Sequence, residues 1–564
     1  MPTPANTRTG GQVLVDALRI HGVDMAFCVS GESYLEVLDA LYDHQDEVRL
    51  ITCRQEGGAA NMAEAYAKLT GKPGVVMVTR GPGACHGCIG LHTAFQDSTP
   101  MIMLIGQVAR DQMDREAFQE IDYRRMFGEV TKWVAQIESA DRIPEYMARA
   151  FHVATSGRPG PVALALPEDM LRDRVAVEDT APYQVVRASP GAEDMERLRE
   201  LLAAAQRPVM LVGGGGWTPE ACADLVAFAD QNDLPTCCSF RRLDIFDNSH
   251  RNYIGDLNTG PNPRLLDSVR KADLLLVVGA RLGEITTQGY SMLGVPNPGR
   301  TLVHVHASAE ELGRVFQPTL AIQSGMAQFA AAAKALGSIG KGRWNDWAHA
   351  TRDGYLDWSA PREYGGDLDL GICMEELKDR VDEDSIVVMD AGNYSGWCMR
   401  YLPFTQPRTF AGPTSGAMGY GVPAAVAASI AYPDRLVVCF VGDGGFMMSS
   451  QELATAAQYR AKPVILLFNN GMYGTIRAHQ EKRHPGRYIA VDLRNPEFEM
   501  LVRSYGGHGE TVTRTEEFGP ALDRAIKSGK PAVLDLRMDP EVISTTTTLT
   551  KMREAALASQ SDGD

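Results

Sequence analysis

Two short stretches in the last third of the chain carry residues suited to holding a metal ion and a phosphate. The first reads VGDGG over 441–445 and the second FNNGMYG over 468–474. Each closes an apolar, β-rich run, 436–441 and 464–468, and a helix-like segment joins the two. Such a unit brings both strand ends to one edge of a parallel sheet. Asp443 and Asn470 then present oxygen atoms of the kind a hard cation such as Mg²⁺ takes, with phosphate and water completing its shell. Gly444 and Gly445 let backbone N–H groups approach a diphosphate, and the helix that follows adds a favourable dipole.

A second constellation, RQEGGAA over 54–60, places Glu56 at the end of an extended run and the start of a helix rich in Gly and Ala. Small residues allow that helix to pack closely. Taken alone, Glu56 reads as an acid at a helix N-terminus, stabilised by the dipole by ~0.3–1 kcal/mol. Beside a cation and diphosphate motif it reads instead as a catalytic carboxyl.

The elements that must position these residues fall into three blocks. Residues 1–185 alternate strand-like runs (25–29, 74–78, 101–105, 162–166) with helix-like segments, the pattern of an α/β domain around a parallel sheet. Residues 180–191 read as a linker. A central block, 190–340, opens with a helix at 194–205 and the strand 208–212, followed by four glycines, and adds strands at 274–278 and 301–305. A polar stretch, 338–368, separates it from a third block, 365–545, which holds a strand at 385–389 and the cation motif. The tail, 546–564, is a flap over the site or a plain terminus. No tandem repeat is visible, but the first and third blocks read as the same kind of alternation, which leaves a shared fold open.

Bulk properties narrow the class. The chain has 564 residues and is 44% hydrophobic and 22% charged, as in a globular enzyme. A formal charge of −16 argues against nucleic acid or an anionic membrane as partner. No apolar run approaches the ~20 residues needed to span a bilayer. The opening MPTPANTRTGGQ lacks an apolar core, so no signal peptide is expected and the expected compartment is the cytoplasm. Ten scattered cysteines do not suggest a disulfide scaffold. Cys85 and Cys88 have C-x-x-C spacing, which suits half a zinc site, a redox pair, or small buried thiols near a helix start.

Together these stretches resemble the acetohydroxyacid (acetolactate) synthase-like group of thiamine-diphosphate enzymes, over almost the whole chain. Besides 54–60 and 441–474, the resemblance rests on GKPGVVMVTRGPGA (71–84), TPMIMLIGQV (99–108), AFQE (117–120), TKW (131–133), SGRPGPVALALP (156–167) and GAMGYG (416–421). It implies three consecutive α/β domains with parallel sheets: pyrimidine-binding, central Rossmann-like, and diphosphate-binding. It implies thiamine diphosphate and Mg²⁺ as cofactors, with the site between two copies in a homodimer or a dimer of dimers, a homotetramer. Glu56 would hydrogen-bond the aminopyrimidine ring nitrogen. Asp443, Asn470 and the Met472 carbonyl would bind Mg²⁺. Gly444 and Gly445, with Gly392, Asn393 and Tyr394, would line the diphosphate, and Tyr473 and Gly474 extend that cradle. Met418 would be the apolar wedge that bends the cofactor, while Gly416 holds the pyrimidine edge. Gln107, Phe118 and Gln119 match positions near the reacting carbon. For Phe118 a core aromatic is the alternative.

Departures from the family pattern also carry meaning. No histidine pair stands near Phe118, which favours joining two carbonyl compounds over simple decarboxylation. The family's Gly-Ala-Arg-Phe-Asp-Asp-Arg run is GARLGEI here (279–285), without the second arginine, and the strand-end ribose position is His306. Gly213 to Gly216 leave FAD, an ADP-like ligand or an empty central site open. His86 follows Gly-Pro-Gly-Ala as a substrate acid/base or a loop histidine without a catalytic role. Ser30, Gly31, Glu32 and Ser33 form another pocket-facing loop. The expected activity is decarboxylation of a pyruvate-like 2-oxo acid with carboligation to a second carbonyl compound. The alternatives are a thiamine-diphosphate C–C lyase, an acyl-CoA decarboxylase, and a non-catalytic nucleotide-binding homologue.

Overall fold

A computed structural model describes residues 7–340 and 342–561. The chain divides into two compact units, residues up to Arg187 and residues from Ala188 onward. Each strand sequence dictates its place. Runs such as Gly74–Val78, Pro161–Pro167 and Val464–Asn469 are buried at every position. Continuous apolar strands of this kind belong in parallel sheets covered on both faces.

The first unit holds a six-stranded parallel sheet. Its order is Arg49–Thr52, Met25–Cys28, Gly74–Val78, Met101–Gln107, Pro161–Pro167 and Trp133–Gln136. The second unit holds two further six-stranded parallel sheets. One runs Tyr253–Leu257, Thr236–Ser239, Pro208–Val212, Leu274–Val278, Thr301–His306, Leu320–Gln323, the 3-2-1-4-5-6 order of a dinucleotide-binding fold. The other runs Phe410–Ala411, Ile386–Met389, Val437–Gly442, Val464–Asn469, Ala532–Arg537, His508–Val512. Counted in chain order, the first and last sheets share one topology, 2-1-3-4-6-5. In each, the order reverses between the first and third strands, and ligands of open α/β sheets bind outside such a reversal. In the last sheet that crevice lies between Ile386–Met389 and Val437–Gly442, so the loop after Met389 and the Asp443 turn face each other.

Two helices position Glu56. Glu56–Thr70 starts on Gln55, whose side chain accepts from Gly58 N–H, and ends at Gly71 with φ +75°. Pro82–Asp97 packs against it so closely that a Cβ on Gly90 would stand 2.3 Å from that of Ala60. The Gly and Ala content of both helices is therefore a requirement of their contact.

Three expectations change. The polar stretch 338–368 is no plain separator: it contains the helix Asn345–Ser359. Just before and within that helix, Trp344 Nε1 donates to Ala205 O at 3.0 Å and Trp347 Nε1 to Pro208 O at 3.0 Å. Two indoles thus fasten the stretch to the central domain. The pair Cys85 and Cys88 is not buried: Cys85 is exposed and Cys88 half-buried, both on the helix Pro82–Asp97. His86 lies in that helix as well and not in a loop. Among the described residues, no helix is long and apolar enough to cross a membrane.

Candidate functional site

In the second unit, Asp443 is the first residue of the helix Asp443–Ser449, directly beyond the strand Val437–Gly442. Its carboxylate is 2% exposed. Oδ1 accepts from Gly444 N–H at 3.0 Å, and Oδ2 accepts from Gly471 N–H at 2.9 Å and from Asn495 Nδ2 at 2.7 Å. Burial pushes its pKa up against these donors, and no neighbouring cation contributes. Asn470 follows the strand Val464–Asn469, with its Oδ1 accepting from Met472 N–H at 3.2 Å. The Met472 carbonyl accepts from Gly474 N–H at 2.9 Å, leaving one lone pair. All three ligand candidates line one cavity of 790 Å³.

The glycines around them are occupied by neighbours. A Cβ on Gly444 would lie 2.6 Å from the Tyr473 ring and 3.4 Å from the Met418 methyl. Gly392 and Gly442 lie under the ring of Tyr394, at 2.2 and 2.8 Å from where a Cβ would be. Tyr394 itself stacks on Phe468, centroids 5.2 Å apart, and is 6% exposed. It forms the floor of the cavity by packing. Asn393 also lines the cavity and ties it to the tail through Nδ2, which donates to Ile543 O.

Met418 sits in the turn between Gly416, φ +69°, and Gly419, φ +81°. Asp390 fixes that turn. Fully buried, it accepts from Gly419 N–H at 3.2 Å and Gly421 N–H at 2.8 Å, and burial lifts its pKa to about 6. Arg241 of the central domain donates to the Asp390 carbonyl at 2.9 Å and lines the same cavity, as do Glu284 and Ile285 of the altered GARLGEI run.

The C-terminal tail is docked. Ser544 to Thr547 line the cavity, and the Thr545 carbonyl accepts from Arg400 at 2.8 Å. The helix Leu549–Ser561 lies against Gly474–Arg483. Arg553 grips the buried Glu481 by two hydrogen bonds, 2.6 and 2.9 Å, and holds its carboxyl down at about 2. A carboxyl depressed in the folded state stabilises above its unfolded pKa and loses that contribution as pH falls towards 2. Arg553→Ala is expected to raise amide hydrogen exchange across the terminal helix at least about tenfold at neutral pH. Unchanged exchange would show that the helix is held by its apolar contacts alone.

In the first unit, Glu56 opens its helix with 12% of its side chain exposed. Its Oε2 is 2.9 Å from His86 Nδ1, and its Oε1 lies 3.3 Å from where Gly83 would carry a Cβ. Phe118 is 74% exposed, which excludes the core-aromatic reading. Gln119 has φ +67° and fills the space beside Gly81. Arg80 holds this loop, donating to the Phe118 carbonyl at 3.3 Å while paired with Glu32 and Glu168, each at 3.0 Å. Ser33, of the expected pocket loop, is fully buried and bonded to Thr79 at 2.8 Å. Gln107 is 1% exposed. Its amide donates to the Ile121 carbonyl at 2.9 Å and accepts from Val108 N–H at 3.0 Å. It is tied to the chain at Ile121, two residues past Gln119, and is buried.

Models of the N-terminal TPP binding domain, the central domain and the C-terminal TPP binding domain of thiamine pyrophosphate enzymes match residues 8–126, 195–333 and 390–536. The acetolactate synthase isozyme 2 large subunit of Escherichia coli is 33% identical over 537 residues, 94% of this chain and 95% of that protein. The acetolactate synthase large subunits of Parasynechococcus marenigrum and Corynebacterium glutamicum are 32% and 31% identical. These alignments cover 94% and 93% of this chain, and 88% and 86% of those proteins. The chain belongs to the thiamine pyrophosphate enzymes. It is an acetolactate synthase-like member, a thiamine-dependent carboligase or decarboxylase by class.

Within that family, the donor set suits a cofactor anchored through a hard cation. A buried carboxylate without a cationic neighbour among the described residues, an amide oxygen and a carbonyl with a free lone pair line one cavity beside a glycine-rich helix start. The central domain gives a different result for FAD or ADP. A Cβ on Gly213 would fall 2.0 Å from Ser239 Oγ, and one on Gly214 2.0 Å from the Gly279 carbonyl. Trp217 Nε1 caps Gly213 O at 2.8 Å. His306, at the ribose position, is 4% exposed and accepts from Ser308 N–H at 3.0 Å. Gly213 and Gly214 pack the domain on itself, whereas Gly216 is exposed, with nothing within 4 Å of where its Cβ would stand.

Sequence reasoning missed Asn495, Asp390, Arg80 and Arg241. Asn495 stands 52 residues beyond Asp443 in a loop with no periodic signal. Asp390 offered one cue: an acid directly after an apolar strand and before Ala-Gly-Asn, two residues ahead of the expected cradle.

Proposed function

We propose that this chain decarboxylates a pyruvate-like 2-oxo acid and joins the remaining fragment to a second carbonyl compound, in the manner of acetolactate synthase. The supporting observation is the buried Asp443 carboxylate, which has no cationic partner among the described residues and lines one glycine-rich cavity with Asn470 and Met472. Mg²⁺ held by Asp443, Asn470 and the Met472 carbonyl would bring the diphosphate of thiamine diphosphate to Gly444, Gly445, Gly392 and Asn393, with Tyr473 and Gly474 alongside. The bound cofactor supplies a carbon nucleophile and an electron sink, chemistry that no side chain provides.

The remaining work falls to the protein. Met418, held by Asp390 through its turn, gives the cavity an apolar wedge. Gly416 presents backbone groups at its edge. Glu56 provides a carboxyl able to exchange a proton with a weakly basic ring nitrogen. Phe118 and Gln119, in the loop that Arg80 holds, would present an apolar ring and an amide to substrate. The docked tail shields the cavity from water.

Glu56 of one copy would complete the Asp443 group of a second, in a homodimer or a dimer of dimers. The exposed Phe118, Met447 and Met448 are apolar groups that such a contact would cover. Sedimentation at assay concentration tests this, and a fully active monomer would exclude it. The cytoplasm suits a chain with this cofactor chemistry.

The deciding assay supplies pyruvate, thiamine diphosphate and Mg²⁺ and measures CO₂ with acetolactate or acetoin. Their release is the expected result. Consumption of a 2-hydroxy ketone or an acyl-CoA while pyruvate is untouched would replace this reading with a lyase or an acyl-CoA decarboxylase.

A further inference from the structure

We infer that His86 is the positioning residue for Glu56: it holds one carboxyl oxygen and exchanges that carboxyl's proton with solvent. This rests on the reading that Glu56 serves thiamine diphosphate. The geometry is specific. His86 Nδ1 lies 2.9 Å from Glu56 Oε2, and the imidazole is 57% exposed where the carboxyl is 12% exposed. Oε2 is thereby engaged. Oε1 has no hydrogen bond among the described residues and lies 3.3 Å from where a Cβ on Gly83 would stand. One carboxyl oxygen is therefore anchored to the protein while the other remains for a ligand.

A sequestered carboxyl that gains and gives a proton in each cycle needs a route to water. Imidazole is the side chain that titrates near neutrality, and in the single chain this one is the more exposed member of the pair. In one direction the proton on Oε2 passes to Nδ1 of neutral His86, and the imidazolium gives its Nε2 proton to water. The reverse restores the carboxyl. No other bond changes. When the pair is carboxylate and imidazolium, Nδ1–H donates to Oε2 and the carboxylate is favoured. When it is carboxyl and imidazole, Oε2–H donates to Nδ1.

The other titratable groups packed around the pair are otherwise engaged or distant in function. Tyr34 donates to the Val29 carbonyl at 2.6 Å, and burial, with lesser contributions from Cys28 and Glu56, pushes its pKa up. Cys28 is buried and likewise raised by burial. Cys85 is exposed and Cys88 half-buried on the helix of His86, the latter raised by burial. Tyr123 OH accepts from Gly81 N–H at 2.9 Å. Arg80 is paired with Glu32 and Glu168, and Arg54 donates to the Thr52 carbonyl at 3.3 Å.

Two measurements on the full chain test this. The first reads the His86 ring nitrogen signals by NMR at one fixed pH, identified by their loss in His86→Asn. Replacing Glu56 with Gln is expected to move the Nδ1 signal, since the partner of that nitrogen changes from a carboxyl oxygen to an amide. Unchanged signals overturn the pairing. The second follows exchange of the C2 proton of thiamine diphosphate in D₂O, with Mg²⁺ present. His86→Asn is expected to slow it about tenfold and to remove its dependence on a group titrating near neutrality. His86→Gln, which keeps a polar group at the site, should show the same loss. If wild type exchanges the proton and both variants match it in rate and pH profile, this inference falls while the proposed function stands. If wild type neither binds the cofactor nor exchanges its proton, both fall.

Discussion

Glu56→Gln is expected to lose about a hundred- to ten-thousandfold in acetolactate formation, the range in which a positioned acid–base group acts. The amide has the shape of the carboxyl and fits the same place beside His86 and Gly83. It cannot give or take a proton. Removing a negative charge from the first helical position costs only about 0.3–1 kcal/mol, too little to unfold the domain. Circular dichroism and the affinity for thiamine diphosphate with Mg²⁺ should therefore stay close to wild type while turnover collapses. A variant retaining more than about a tenth of wild-type activity would rule out Glu56 as the proton-exchanging group.

Asp443→Asn is expected to weaken Mg²⁺-dependent binding of thiamine diphosphate by about a hundredfold or more, about 2.7 kcal/mol. Two effects act together. The variant removes the negative charge from the proposed ligand set. It also turns an NH₂ group towards one of the three donors that the carboxylate now satisfies, Gly444 N–H, Gly471 N–H or Asn495 Nδ2. Asn495→Ala separates these effects, because it removes a supporting donor and leaves the charge. A supporting partner of a metal ligand typically contributes 10- to 100-fold, so about tenfold is expected there. Calorimetric titration with and without Mg²⁺ reads both. Should Asp443→Asn bind the cofactor within about threefold of wild type, metal anchoring at this position would be wrong.

Much of the site was legible because its parts are local. Gly442 to Gly445 and Asn469 to Gly474 each lie within one strand-to-helix turn, where strand period and glycine placement settle the backbone. Glu56 followed from an extended run meeting a Gly–Ala helix. The domains' internal order followed from strand alternation, and boundaries such as Gly74–Val78 and Leu274–Val278 needed no revision. What was not legible depends on contacts between distant segments. Asn495 reaches Asp443 across 52 residues, Arg553 reaches Glu481 across 72, and Trp344 reaches Ala205 across 139. Spacing along the chain carries no record of such encounters.

The sequence alone determined the class of fold, the oxygen-bearing side chains at one sheet edge and the acid at a helix start, since each is set by neighbouring residues and by periodicity. Tertiary structure decided the rest. It placed His86 on a helix against Glu56, turned Phe118 outward and Gln107 inward, and docked the terminal helix through Arg553. It also packed Gly213 and Gly214 on their own domain. Each of these depends on which surfaces close packing brings together and on which polar groups are then buried and must find partners.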